Sequence, residues 1–238
     1  SEYVWSLRVK SRMDKAAPNE TQALKARLFR EAQSAGRLSH PGIVTIYDIA
    51  EEGGIAYITM EYVEGQTLTQ WMVDHPKPDM ASVRPIVEQI GKGVLAFHRQ
   101  EMIHQDLRPD NILIDTLGTV KIIDFGQSCL VGTVKERIQG TPDYIAPEQV
   151  LRREITPQTD VFNLGATMYW LLTRQHVPTL IPKDKLQVGI RPPDHCPPPH
   201  EINDKVPPAL SSLIVDCTKI EPKYRPETMQ KVHDRLDL

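Results

Sequence analysis

The sequence predicts an α+β fold in which a small sheet with one helix precedes a mostly helical body. Three observations carry that prediction. Short β-prone runs bounded by turn signals are confined to the stretch before Glu61 and to one later hairpin. From Val83 onward apolar residues recur at helical spacing instead. Residues 159–172 are apolar almost all round, as in a helix at the centre of a packed body.

Taken in order, residues 3–9 alternate loosely and predict a short or edge strand, because Arg8, Lys10 and Arg12 keep one side wet. Pro18-Asn19 stops it. Asn19 with Gln22 has the form of a capping box, and Leu24, Leu28, Ala32 and Ala35 share one helical face, predicting a helix over 20–35. Residues 43–49 and 56–61 read as two strands joined through Glu52-Gly53-Gly54. After Glu64-Gly65-Gln66 the pattern changes. Val83, Ile86, Val87, Ile90, Val94 and Phe97 form the stripe of a long buried helix that tolerates Gly91 and Gly93. Residues 112–114 and 120–123 predict a hairpin turning at Leu117-Gly118. The prolines between Pro178 and Pro208 exclude a long helix there and predict an extended surface segment. Pro207-Pro208 opens a helix toward Lys219, and Thr228 opens a last one.

Composition narrows the class. A chain of 238 residues with 40% hydrophobic and 25% charged residues can bury one large core or two modest lobes. A net charge of -3 provides no basic field for nucleic acid or an anionic membrane. Cys129, Cys196 and Cys217 are too few and too scattered for a disulfide framework, so reduced thiols in the cytoplasm are expected. No apolar run approaches the ~20 residues of a membrane span. The first residue is Ser1, so the chain reads as a piece of something longer, with an anchor beyond either end left open.

Three motifs carry the chemistry, in one order and at tight separations: His104-Gln105-Asp106-Leu107-Arg108-Pro109-Asp110-Asn111, then Asp124-Phe125-Gly126, then Gly140-Thr141-Pro142-Asp143-Tyr144-Ile145-Ala146-Pro147-Glu148. Singly, such Asp and Asn residues cap turns or end strands. As an ordered set they resemble the catalytic loop, metal-binding turn and substrate-docking segment of protein kinases. His40-Pro41-Gly42-Ile43-Val44 and Met60-Glu61-Tyr62-Val63-Glu64-Gly65 are most similar to the bacterial, eukaryotic-like Ser/Thr kinases. The resemblance runs from about Leu7 to the end.

It implies a two-lobe protein kinase fold: an N-lobe remnant over 1–63, small and β-rich, and a larger helical C-lobe over 64–238 with catalytic loop and activation segment. It also implies roles. Asp106 would accept the proton of a Ser or Thr hydroxyl, and Asn111 and Asp124 would hold Mg2+ through oxygen atoms. Arg108 stands where a Lys usually meets the transferring phosphate of ATP. Met60 would be the gatekeeper, Glu61 and Val63 would offer backbone hydrogen bonds to adenine, and Leu113 would pack beneath it. His104 and Phe125 would pack together. Glu148 would pair with Arg225, and Asp160 would brace the catalytic loop.

Three departures stand out. No glycine precedes Gly36, so the Gly-rich strands over the phosphates are missing from this stretch, and whether they lie upstream of Ser1 stays open. Arg8 occupies the place of the strand lysine that would pair with Glu31, with Lys10 the alternative register. Gln105 replaces an Arg that grips a phosphorylated activation segment in many relatives, so activity is expected not to depend on phosphorylation between Gly126 and Gly140. His195, Cys196 and His200 lack a fourth ligand and read as a surface loop. The reading is an ATP- and Mg2+-dependent kinase acting on Ser/Thr of protein substrates. A pseudokinase is the alternative, and a small-molecule phosphotransferase ranks last because it should lack the 140–148 segment. Substrate, signal and oligomeric state stay open.

Overall fold

A small antiparallel sheet comes early in the chain, and a mostly helical body with short strands set into it follows, as the sequence predicts. The computed structural model describes residues 4–5, 38–52, 55–180 and 196–236. Strand β1 (Val4–Trp5), β2 (Ile46–Glu52) and β3 (Ile55–Met60) form an antiparallel sheet in the order β1-β3-β2. The helix expected over 20–35, the turn at Gly53-Gly54, and Arg8, Lys10 and Glu31 lie outside the described residues.

The strand expected over 43–49 is displaced. Ile43 and Val44 are buried, and their stretch does not extend β2. Instead the backbone of Gly42–Val44 pairs in parallel with Ile122: Ile122 N donates to Gly42 O at 2.9 Å, and Val44 N to Ile122 O at 3.0 Å. Burying both branched side chains against the helical body outweighs adding them to a small sheet.

The chain then forms β4 (Gly65–Thr67) and α1 (Leu68–Asp74), neither of which the periodicity revealed. Thr67 caps α1 reciprocally with Gln70, the capping box being Thr67-Leu68-Thr69-Gln70. Helix α2 (Met80–His98) starts at Asp79, whose carboxylate accepts from Ser82 N, and it buries the predicted stripe. Gly93 is dictated by closeness: a Cβ there would meet Ile122 Cδ1 at 2.9 Å and Gly42 O at 3.0 Å. Strand β5 (Met102–Ile103) leads into the His104 motif. The expected hairpin is present as β6 (Ile112–Asp115) and β7 (Val120–Ile122), and β4-β6-β7 make a second sheet.

After the Asp124 turn, β8 (Cys129–Leu130) pairs with β5, and a single turn α3 (Pro147–Val150) follows. Helix α4 (Pro157–Thr173) is buried along nearly its whole length and forms the centre of the helical body. Within the proline-rich stretch a one-turn helix, α5 (Pro199–Ile202), interrupts the expected extended course. Proline at the first position of a turn loses no hydrogen bond, which makes so short a helix compatible with three consecutive prolines. Helices α6 (Pro208–Cys217) and α7 (Met229–Asp234) complete the body, with Thr228 capping α7. A Cβ on Gly165 of α4 would meet Cys217 Cβ at 2.6 Å, so glycine sets the α4–α6 approach.

Candidate active site

Asp160, wholly buried on α4, organises the loop that follows β5. Its carboxylate accepts from the backbone N–H of His104 at 2.9 Å and of Gln105 at 2.8 Å, and His98 Nε2 lies 2.9 Å away. These bonds hold Gln105 at φ +70, a left-handed conformation that costs a non-glycine residue about 1–3 kcal/mol. The next residue is Asp106. His104 Nδ1 accepts from Asp106 N at 3.2 Å, which puts the ring proton on Nε2, 3.3 Å from Ile123 O. One imidazole thus ties the loop to the residue before Asp124.

The Asp106 side chain has a partner for each oxygen. Thr141 Oγ donates to Oδ1 at 2.8 Å and Asn111 Nδ2 to Oδ2 at 3.0 Å. Asn111 Nδ2 also donates to Asp106 O at 2.9 Å, so the amide nitrogen is committed and its oxygen is the end left for another ligand. Burial pushes the Asp106 carboxyl above its ordinary range. The bond from Thr141 and the nearby His104 and Arg108 oppose that rise, and Asp124 adds to it. Asp124 is exposed, sits at φ +63, and accepts from Gly126 N at 3.3 Å. Arg108 Nη1 pairs with Asp110 Oδ2 at 2.6 Å, while its Nε lies 3.7 Å from Asp106 Oδ2. Asp106, Arg108, Asn111 and Asp124 are therefore neighbours. Thr141 is the member that motif reading passed over, although Gly140-Thr141-Pro142 was its signal.

Beneath them, Phe97, His104 and Phe125 form an aromatic triad with centroids 5.4–6.1 Å apart. Glu148 and Arg225 meet in a buried bidentate pair at 2.7 and 2.8 Å. The remaining Arg225 N–H groups reach the carbonyls of Gln158, Lys219 and Ile220.

Met60, Glu61 and Val63 are half-buried where β3 runs into β4. Glu61 N donates to Thr45 O at 2.8 Å, leaving only its carbonyl for an outside ligand. Lys121 Nζ lies 2.7 Å from Glu61 Oε1. Burial alone would raise the Glu61 carboxyl, but the bonds from Lys121 and Thr45 hold it below the usual range. Leu113 is paired with Lys121 across β6 and β7, which brings it beside this link.

The donor chemistry, an amide oxygen and a carboxylate, suits a hard cation. Among the described residues no three His, Cys, Asp or Glu side chains converge as a self-sufficient metal cage. Mg2+ typically binds through one or two protein oxygens plus substrate phosphates, and Asn111 with Asp124 fits that pattern.

A family model of the protein kinase domain matches residues 9–236. The chain is 35% identical over 234 residues to serine/threonine-protein kinase PrkC of Bacillus subtilis, covering 92% of this chain and 34% of that protein. It is 32% identical over 252 residues to serine/threonine-protein kinase PknD of Chlamydia trachomatis, covering 90% of this chain and 27% of that protein. The chain thus spans about a third of the length of the curated relatives it matches.

Proposed function

The chain belongs to the protein kinase domain family, and from that premise we propose that it transfers the γ-phosphate of ATP to Ser or Thr hydroxyls of protein substrates. The observation that carries this reading is the convergence of Thr141 and Asn111 on the two oxygens of Asp106, which aims a buried carboxylate beside two candidate magnesium ligands. In the reaction the acceptor oxygen forms a bond to the γ-phosphorus, the bond from that phosphorus to the β,γ-bridging oxygen breaks, and ADP leaves. Asp106 takes the hydroxyl proton. Its burial, by raising proton affinity, makes it a better acceptor than an exposed aspartate.

Asn111 Oδ1 and Asp124 would hold Mg2+, which when bound neutralises phosphate charge. Arg108 would set its guanidinium on the transferring phosphate. The Glu61 carbonyl and Val63 N–H would take the purine edge, with Met60 behind it and Leu113 below. Arg8 or Lys10 paired with Glu31 would complete the phosphate clamp. Residues 140–148 would dock the polypeptide that carries the acceptor. Neither nucleic acid nor a membrane surface is needed for this chemistry. No helix among the described residues is long and apolar enough to cross a membrane. The cytoplasm, where ATP and free Cys129, Cys196 and Cys217 coexist, is the proposed compartment.

The test is phosphate transfer from labelled ATP, with Mg2+, to a generic Ser/Thr substrate. Transfer by the wild-type protein and its loss in Asp106→Ala support an enzyme. Nucleotide binding without transfer in either protein supports the pseudokinase, a reading favoured by Gln105.

A further inference from the structure

Two buried glutamines outside the reacting centre make bonds that the reaction itself does not explain. Gln105 Nε2 donates to Gln127 O at 2.6 Å and to Cys129 Sγ at 2.9 Å, while Gln105 Oε1 has no partner among the described residues. Only the donor end of that amide is used. Gln149 Nε2 donates to Gln105 O at 2.9 Å and to Gln139 O at 3.2 Å, and its Oε1 accepts from Ala146 N and Asn163 Nδ2. Residue 105, the neighbour of Asp106, is thus tied to one end of the stretch 127–139 by its own side chain and, through its carbonyl and Gln149, to the other.

The middle of that stretch is held by backbone bonds and by Arg152 Nη1, which donates to Glu136 O at 3.2 Å. Gly132 N donates to Ile155 O and Ile155 N to Thr133 O, and β8 is paired with β5. Lys135 Nζ adds a bond to Gln127 O at 3.1 Å. The stretch holds two hydroxyl side chains: Ser128, which is buried, and Thr133, which donates to Leu130 O.

We propose that Gln105 and Gln149 are positioning residues that form an uncharged double clasp, holding residues 127–139 in register with Asp106 without any phosphate on that stretch. The proposal rests on the phosphotransfer reading and specifies how that activity is regulated. An amide donor changes neither with pH nor with phosphorylation state, so the clasp is permanently closed.

Two nearly isosteric substitutions test it. Gln105→Glu removes both donors and sets a carboxylate against the Gln127 carbonyl. Gln149→Glu removes the donors to Gln105 and Gln139 and keeps the acceptor. Hydrogen exchange is read in 127–139 and in α4, alongside kcat and the KM for ATP. Each variant should lose protection in 127–139 and lose kcat by roughly tenfold, with KM for ATP within about twofold and α4 unchanged. In Gln105→Glu, protection should return as pH falls, because the introduced carboxyl regains a donor. Phosphatase treatment should leave wild-type kcat unchanged. Wild-type protection in 127–139 in both variants would overturn the clasp, as would loss of α4 protection in both. A wild-type protein with no transferase activity whose 127–139 stretch nevertheless loosens in the variants would sink the kinase reading and retain the clasp.

Discussion

A single buried carboxylate sets the pH behaviour of the site. Asp106 has a folded pKa above the 3.8 of an ordinary aspartate because burial penalises its charge. If Asp106 is the proton acceptor, as proposed, its protonation stops the reaction, so the acid limb of the kcat/KM profile should lie at higher pH than an exposed Asp would give, and a limb at or below 3.8 would refute this. The stability sign is opposite to that of a salt-bridged Asp. Between the unfolded and the raised folded pKa the native state binds more protons, so this group's contribution is full below 3.8 and is lost as pH rises through the folded value. Arg225 shows the other kind of buried charge. Its side chain is 0% exposed and its partner Glu148 2%. Arg225→Ala leaves that carboxylate unpaired and should lower unfolding free energy by about 3–5 kcal/mol in urea titrations. The Glu148–Arg225 pair was legible from motifs alone, and the motifs also marked Asp106, Asn111 and Asp124 as candidates. Thr141 and Gln149 were not assigned roles, because their significance lies in which buried atoms they reach, and no spacing encodes that.

Elements were readable in proportion to their length. Helices α2 and α4 declare themselves over several turns, one by a stripe and the other by apolar residues on every side. Strands of two residues and helices of one turn have no period to read, so β5, β8, α3 and α5 emerge only from tertiary hydrogen bonding. The misplacement of Ile43 and Val44 has a different origin. A β-branched pair fits either sheet, and its partner is chosen by Gly93, which lets α2 close upon Gly42 and Ile122. Gly165 has the same function between α4 and α6. Gly165→Ala drives a methyl group into Cys217 Cβ and should destabilise the fold by about 1–3 kcal/mol, measured as a lower denaturation midpoint. An unchanged midpoint would mean the helices separate without cost.

For the molecule as a whole, strand-rich beginning and helical body were both foreseen, and membership of the kinase family accounts for their order. The proposed nucleotide binding is open to a mass-action test. ATP with Mg2+ at a hundredfold excess over Kd should raise unfolding free energy by about 2.7 kcal/mol, seen as a higher Tm. Asp124→Ala should abolish most of that rise while leaving the Tm of the free protein within a few degrees, since Asp124 is exposed. The parallel bond pair between Gly42–Val44 and Ile122 ends two residues short of Asp124. Displacing the chain at Gly42–Val44 would therefore shift the strand that runs directly into Asp124, by a backbone route independent of the 61–64 crossing.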